Sequence, residues 1–365
     1  MSTKQIKIGI IGCGNISGIY LENFRKLFGF LKVVACADLN PAKSRARADE
    51  FGIPAACTVK ELLSNPDVDI VVNLTIPNTH TEINLTALAA GKHVYCEKPL
   101  AINRKDGLKV LKAADKKGLL VGCAPDTFLG AGFQTCRRLI DDGAIGKPLA
   151  AAAFMVCHGH ESWHPNPDFY YQPGAGPMFD MGPYYLTALI SLMGPVRRVT
   201  GSDKVTFPER IITSQPNYGK TIRVNTPTHI AGIMDFANSA IGTITTSFDV
   251  WGAQLPRIEI YGSEGTLSTP DPNGFGGPIR LLRAREKEWV DVPLINRYAD
   301  NSRGLGVADM AQAIISGGKH RANGKMAYHV LDIMQGFHVA SESGKHVKIT
   351  SSCEQPEVLP VNLFS

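Results

Sequence analysis

No C-x-x-C pair and no regular spacing occurs among the eight cysteines, which argues against a disulfide scaffold and for small, reduced core residues of a cytoplasmic protein. There is no block of like charge either. The 38 basic and 33 acidic residues are spread along the chain and leave a net charge of only +5, so nucleic acid is not an expected partner. The first apolar run, residues 8–11, is too short for a signal peptide or a membrane span and leads straight into glycines, so no membrane partner is expected. Internal repeats and low-complexity segments are absent as well. What remains is 44% apolar and 19% charged residues with 36 glycines, the balance of a folded, soluble α/β protein. At 365 residues the chain exceeds the usual size of one hydrophobic core, and two domains are expected.

The two halves differ in rhythm. Up to about residue 123, short apolar runs at 6–11, 32–37, 70–75, 93–96 and 119–122 alternate with longer amphipathic stretches, the pattern of a parallel sheet with crossover helices. Each run is too continuously apolar for a sheet wetted on one side. Helices are expected over 82–90 and 105–117, with Gly91 and Gly118 placed for left-handed C-terminal caps. A bridging helix over 133–142 ends at Gly143. Beyond it, strands are expected at 149–157, 229–236, 241–250, 257–261, 279–285 and 289–293, with a hairpin turn over 236–240. Two late helices, near 305–315 and 327–341, complete the second half.

Gly12-Cys-Gly14-Asn15-Ile16-Ser17-Gly18 follows the first expected strand and opens the first helix, the context in which a glycine-rich turn approaches a pyrophosphate. Gly12 permits the tight turn, Gly14 allows close backbone approach, and the N–H groups of the helix start favour an anion. Serine replaces the third glycine and still allows helix and strand to pack closely. Asp38 ends the second strand 20 residues after Gly18, where a carboxylate accepts hydrogen bonds from an adenosine ribose. The competing reading is a cap for the next helix, a job Asn40 can do equally well. A carboxylate there repels a 2′-phosphate, so NAD is expected over NADP, although Lys43, Arg45 and Arg47 downstream keep NADP open. The fold class is therefore α/β: an N-terminal Rossmann dinucleotide-binding domain over 1–123, and over 124–365 a substrate-binding and oligomerisation α+β domain with a large open, mainly antiparallel sheet.

Two loops fall at carboxyl ends of parallel strands, where open α/β sheets bind ligands: Thr75-Ile-Pro77-Asn78-Thr-His80 and Glu97-Lys98-Pro99. Lys98 stands out, because a lysine directly before proline has little local freedom; a solvated surface lysine is the competing reading. Taken with Ala90-Gly-Lys-His-Val94, Ile140-Asp-Asp-Gly143-Ala-Ile-Gly146, Gly176-Pro-Met-Phe-Asp180-Met-Gly182 and Gly262-Ser-Glu-Gly265, these motifs resemble the glucose-fructose oxidoreductase, inositol dehydrogenase and rhizopine-catabolism (Gfo/Idh/MocA) family over nearly the whole chain. The resemblance implies that Lys98 is the active-site lysine, often with a cis bond before Pro99. It also implies that Gly12, Gly14, Asn15, Ile16, Asp38, Thr75, Pro77, Asn78, His80, Glu97 and Lys98 line the cofactor, and that the exposed face of the second sheet packs against another subunit in a homodimer or homotetramer.

One departure shapes the expected chemistry. The family pattern D-x-G-x-H-x-x-D runs here as Asp180-Met-Gly182-Pro-Tyr184-Tyr-Leu-Thr187, with tyrosine where histidine is usual. If the segment is helical, Asp180, Tyr184 and Thr187 share one face. Tyr184 is then the expected base for the hydroxyl of a secondary alcohol, with Lys98 assisting electrostatically and Asp180 as the third catalytic candidate; mere packing at a helix start is the competing reading. His158-Gly-His160-Glu-Ser-Trp163 supplies polar and aromatic groups suited to a sugar, glycoside or cyclitol, and His158, His160, Trp163, Asp180, Tyr184 and Thr187 are substrate candidates. Asp126, just after the last Rossmann strand, joins them. A divalent metal at the histidine-rich loop is not expected, since nothing enforces its geometry. Two other functions stay open: a non-catalytic dinucleotide-binding sensor, and a sugar–sugar oxidoreductase with tightly bound NADP.

Overall fold

The continuous apolar runs of the first half become strands covered on both faces. The computed structural model describes residues 5–361, 363 and 364. In chain order, β1 (Ile6–Ile11), α1 (Asn15–Lys26), β2 (Leu31–Ala37), α2 (Pro41–Phe51), β3 (Ala55–Cys57), α3 (Val59–Ser64), β4 (Ile70–Asn73), α4 (Pro77–Ala89), β5 (His93–Cys96), α5 (Arg104–Lys117) and β6 (Val121–Cys123) alternate. The six strands pair in parallel in the order β3-β2-β1-β4-β5-β6. The chain steps outward from β1 to β3 and resumes beside β1 at β4, so the order reverses between β1 and β4. A ligand crevice belongs beyond the carboxyl ends of the strands at that point. Local chemistry sets the helix ends: Asn40 caps α2 by accepting from the Ala42 N–H, Thr58 and Glu61 form a reciprocal capping box on α3, and Gly52 and Gly118 close α2 and α5 in the left-handed region.

The second half contains α6 (Ala131–Asp141), β7 (Pro148–Val156), α7 (Gly176–Asp180), α8 (Gly182–Met193), β8 (Val196–Lys204), β9 (Glu209–Ile211), β10 (Thr221–Arg223), β11 (His229–Phe236), β12 (Ile241–Ser247), β13 (Ile258–Gly262), β14 (Gly265–Ser268), β15 (Arg280–Arg283), β16 (Val290–Asp291), α9 (Leu305–Ser316), α10 (Gly324–Ser343) and β17 (Val347–Lys348). Nine of these strands form one sheet, ordered β16-β15-β14-β13-β7-β12-β11-β8-β17 and antiparallel except for β7 beside β12. The hairpin expected over 236–240 joins β11 to β12, with Ser239 at φ +72. One face carries the core: every residue of α8 is buried, and Phe337 of α10 packs against Gly232 so closely that a Cβ there would meet the ring at 2.3 Å. On the opposite face Ile241 and Tyr261 flank Ala150 in register, Ile233 lies one pair of residues further along, and all three stay exposed. No helix among the described residues is long and apolar enough to cross a membrane.

The boundary expected at residue 123 needs correction. Two units are formed, one from the chain up to 130 together with 300–328 and the C-terminal residues from 359, the other from 131–299 and 329–358. The reason is hydrogen bonding along the edge strand β6. Cys123 N–H donates to Ala322 O at 3.0 Å, the His320 ring meets Val121 O at 3.0 Å, and Gly122 bridges Asn323. From α1, the Asn23 amide donates to Asn301 O and Arg303 O, both at 2.8 Å. Helix α9, expected in the second domain, therefore belongs to the first unit.

Candidate active site

The glycine turn is built as its sequence demands. Gly12 has φ +100, and a Cβ there would lie 2.7 Å from the Leu74 carbonyl, so no other residue fits the turn. At Gly14 a Cβ would meet nothing within 4 Å, which leaves the backbone open to close approach. Helix α1 begins at Asn15 with no side-chain cap and no acid in its first turn. Its first N–H groups and its dipole are thus offered to an anion, and the cradle fits a pyrophosphate. Ser17, in place of the third glycine, donates to Gly14 O at 2.6 Å and is buried.

Asp38 draws the cradle and the second strand together. Its Oδ2 accepts the Cys13 N–H and its Oδ1 the Asn40 N–H, both at 2.8 Å, so each oxygen keeps acceptor capacity for a hydroxyl. The competing role as helix cap falls to Asn40. Arg47 is turned onto the glycine turn, where Nε donates to Ser17 Oγ at 3.1 Å and Nη1 pairs with Glu50 at 2.5 Å. Lys43 and Arg45 are exposed.

The two loops beyond β4 and β5 are tied to each other by His80. It is fully buried, with Nδ1 2.7 Å from Pro99 O and Nε2 3.0 Å from Thr75 O. Burial lowers its pKa despite those carbonyls. A neutral His80 donates to one of these two carbonyls and packs against the other, and with no exposed surface its side chain is not a cofactor contact as expected. Thr75 Oγ1 donates to buried Asn73 Oδ1 at 2.7 Å, Pro77 opens α4, and Asn78 is exposed on its first turn. Glu97 accepts from Tyr20 Oη at 2.8 Å and from the Lys98 N–H at 3.0 Å, which fixes the backbone that carries Lys98. Neither Tyr20 nor Asn73 stands out in the sequence, although a buried polar residue closing an apolar strand is a signal for Asn73.

In the second unit, Asp180 and Tyr184 do not share one unbroken helix. Pro183 has no N–H to give Phe179 O, so α7 ends at Asp180 and α8 starts at Gly182. Tyr184 and Thr187 do lie one turn apart on α8, at 8% and 3% exposure. Asp180 faces the histidine loop, with Oδ2 3.6 Å from His160 Nε2. The His160 ring stacks on Tyr170 at 3.8 Å, and its Nδ1 is buried without a hydrogen-bond partner. Trp163 is 62% exposed. Beneath the loop lies a buried ionic cluster that sequence reading missed. Arg210 Nη1 pairs with Glu161 Oε1 at 2.5 Å, Nη2 bonds Asp249 and Phe248 O, and Tyr171 Oη donates to Glu161 Oε2 at 2.5 Å. Burial pushes the Glu161 carboxyl up, but the hydrogen bonds from Tyr171 and Arg210 hold it below the ordinary range. Among the described residues, no three His, Cys, Asp or Glu side chains group as metal ligands.

Asp126 is not at an open mouth. It is 1% exposed, and its Oδ2 accepts the N–H groups of Gly304 and Gly306, both at 2.9 Å, at the start of α9. Burial raises its pKa to about 6, against the lowering effect of those hydrogen bonds and of Arg303. The folded chain therefore holds a proton that the unfolded chain has lost between pH ~4 and ~6, and this group's contribution to stability falls as pH rises through that window. Asp126→Asn keeps an acceptor for both N–H groups and removes the titration. Its melting temperature is expected to gain on the parent's from pH 4 to 6, by an amount approaching that of about 3 kcal/mol, and to run parallel above pH 7; a constant difference across the range would refute the assignment.

The sequence matches the model of the oxidoreductase family with an NAD-binding Rossmann fold over residues 6–124 and that of the GFO/IDH/MocA C-terminal domain over 133–268. This chain belongs to the Gfo/Idh/MocA family. The cis Lys98–Pro99 bond agrees with what the resemblance implied. Among relatives, myo-inositol 2-dehydrogenase of Thermotoga maritima is 26% identical over 264 residues, 72% of this chain and 74% of that protein. Two solved structures share the fold: an NAD binding oxidoreductase from Klebsiella pneumoniae (TM-score 0.84, 21% identity, 95% of this chain and 100% of that one) and levoglucosan dehydrogenase in complex with NADH and L-sorbose (TM-score 0.82, 19% identity, 95% and 99%). This Gfo/Idh/MocA protein thus has a dinucleotide cradle in one unit and, in the other, a polar and aromatic cluster around Asp180.

Proposed function

We propose that this protein is an NAD-dependent dehydrogenase acting on a secondary hydroxyl of a sugar, glycoside or cyclitol, with NADP as the weaker cofactor. The observation that carries the reading is the uncapped start of α1 beside Asp38, a site for an anionic bridge next to a site for a ribose hydroxyl. Relatives named for inositol and levoglucosan support the substrate class. NAD, when bound, accepts the hydride at its nicotinamide ring. In this reading Tyr184 takes the hydroxyl proton, Lys98 supplies positive charge, and Asp180 with His160 orients substrate hydroxyls. The eight free cysteines support a reducing cytoplasm, and the exposed Ile233, Ile241 and Tyr261 on the open face of the large sheet support a homodimer or homotetramer.

The test is incubation with NAD or NADP and a panel of sugars, cyclitols and glycosides while reduced-nicotinamide absorbance is followed. Turnover with at least one compound, faster with NAD than with NADP, is expected. Saturable cofactor binding without any turnover would replace the dehydrogenase by a sensor.

A further inference from the structure

Strands β7 and β12 run parallel side by side and end together, Ser247 opposite Val156. Pairing continues past their ends, with Cys157 N–H donating to Ser247 O and Val250 N–H to Cys157 O, both at 3.0 Å. This brings Trp251 onto His158. The two rings lie flat at a centroid distance of 3.4 Å and an angle of 14°, while Trp251 remains 85% exposed. One face of the indole is thus fixed and the rest is open to solvent. His158 Nδ1 beneath it is buried with no hydrogen-bond partner, and two residues further His160 meets Asp180. The three residues 158–160 therefore join the ring stacked on Trp251 to the imidazole that faces Asp180.

A freely rotating tryptophan would lose entropy on stacking with a ligand; this one is already held. We propose that Trp251 is the wall of an aglycone subsite, and that the substrate is a glycoside whose planar or apolar substituent lies on the indole while its sugar hydroxyls reach Asp180 and His160. The inference rests on the sugar-directed reading above and narrows it: a planar substituent covers more of the indole than the C–H face of a free sugar does.

The experiment measures, by calorimetry on the NADH-saturated protein, the affinities of the phenyl glycosides of glucose, galactose and mannose beside the three parent sugars, with turnover of the same compounds followed separately. At least one phenyl glycoside is expected to bind ~10-fold or more tightly than its parent sugar. Trp251→Ala should erase that advantage and Trp251→Phe retain most of it, both with the parental melting temperature, because the side chain is largely exposed. Equal affinity for every glycoside and its parent sugar, or an advantage that survives in Trp251→Ala, overturns the subsite. Failure of the dehydrogenase reading shows differently, as binding without reduced cofactor in the turnover assay.

Discussion

Phenylalanine at position 184 is expected to lower turnover by ~10²-fold or more while the dissociation constant for NAD stays at the parental value. The ring is 8% exposed in the fully buried helix α8, and phenylalanine preserves that packing, so the loss is assigned to the phenol oxygen alone. None of the residues offered to the dinucleotide lies on α8, which is why cofactor affinity is the control. Steady-state kinetics from pH 6 to 10 beside a fluorescence titration of NAD make the check. A variant with full turnover would remove Tyr184 from the mechanism and leave the Asp180–His160 pair as the proton acceptor.

How much of this was legible in the sequence depends on how local the cause is. Strands β1, β5 and β11 have the bounds read from apolar patterning, because each is a run that its neighbours punctuate with glycine, loop or turn residues. Strand β3, three residues long, and β8, whose Arg197, Arg198 and Asp203 interrupt its apolar character, left no such pattern. The glycine turn, Asp38 and Lys98 were legible because chemistry and position coincide at a strand end. Asp126 and α9 were misplaced for the opposite reason: the carboxylate that caps the helix lies 178 residues before Gly304, and no periodicity reports such a bond. His80 was found through its motif but given the wrong task, since a histidine that joins two loops and one that touches a ligand look alike in a sequence. Arg210 was overlooked altogether. It sits in a three-residue strand, and its acidic partners are 49 and 39 residues distant.

That arginine carries the largest expected effect on stability. Its side chain is 4% exposed between Glu161 at 10% and Asp249 at 6%, and its guanidinium also lies 5.2 Å from the Tyr171 ring centroid. Arg210→Met keeps a long flexible apolar stem and deletes the charge, which leaves two buried carboxylates facing each other uncompensated. Breaking a buried pair in this way costs about 3–5 kcal/mol, and for a chain of this size the melting temperature is expected to drop on the order of 10 °C. The deficit should shrink on acidification for two reasons of the same sign. Below pH ~4.5 the parent loses stability as Glu161, whose pKa is held low, is protonated; already above that the variant's Glu161, no longer held by the guanidinium, takes up the proton and relaxes. Glu161 also accepts Thr213 and Ser214 N–H groups at its carbonyl and adjoins His160, so loosening it should raise KM for the sugar more than it lowers kcat. Melting curves of Arg210→Met and of Arg210→Met/Glu161→Gln at pH 5 and pH 8 separate charge from packing. A deficit that is the same at both pH values, and that the second substitution does not relieve, would mean the arginine acts by filling space, and that the histidine loop is held by its aromatic stacking instead of its ions.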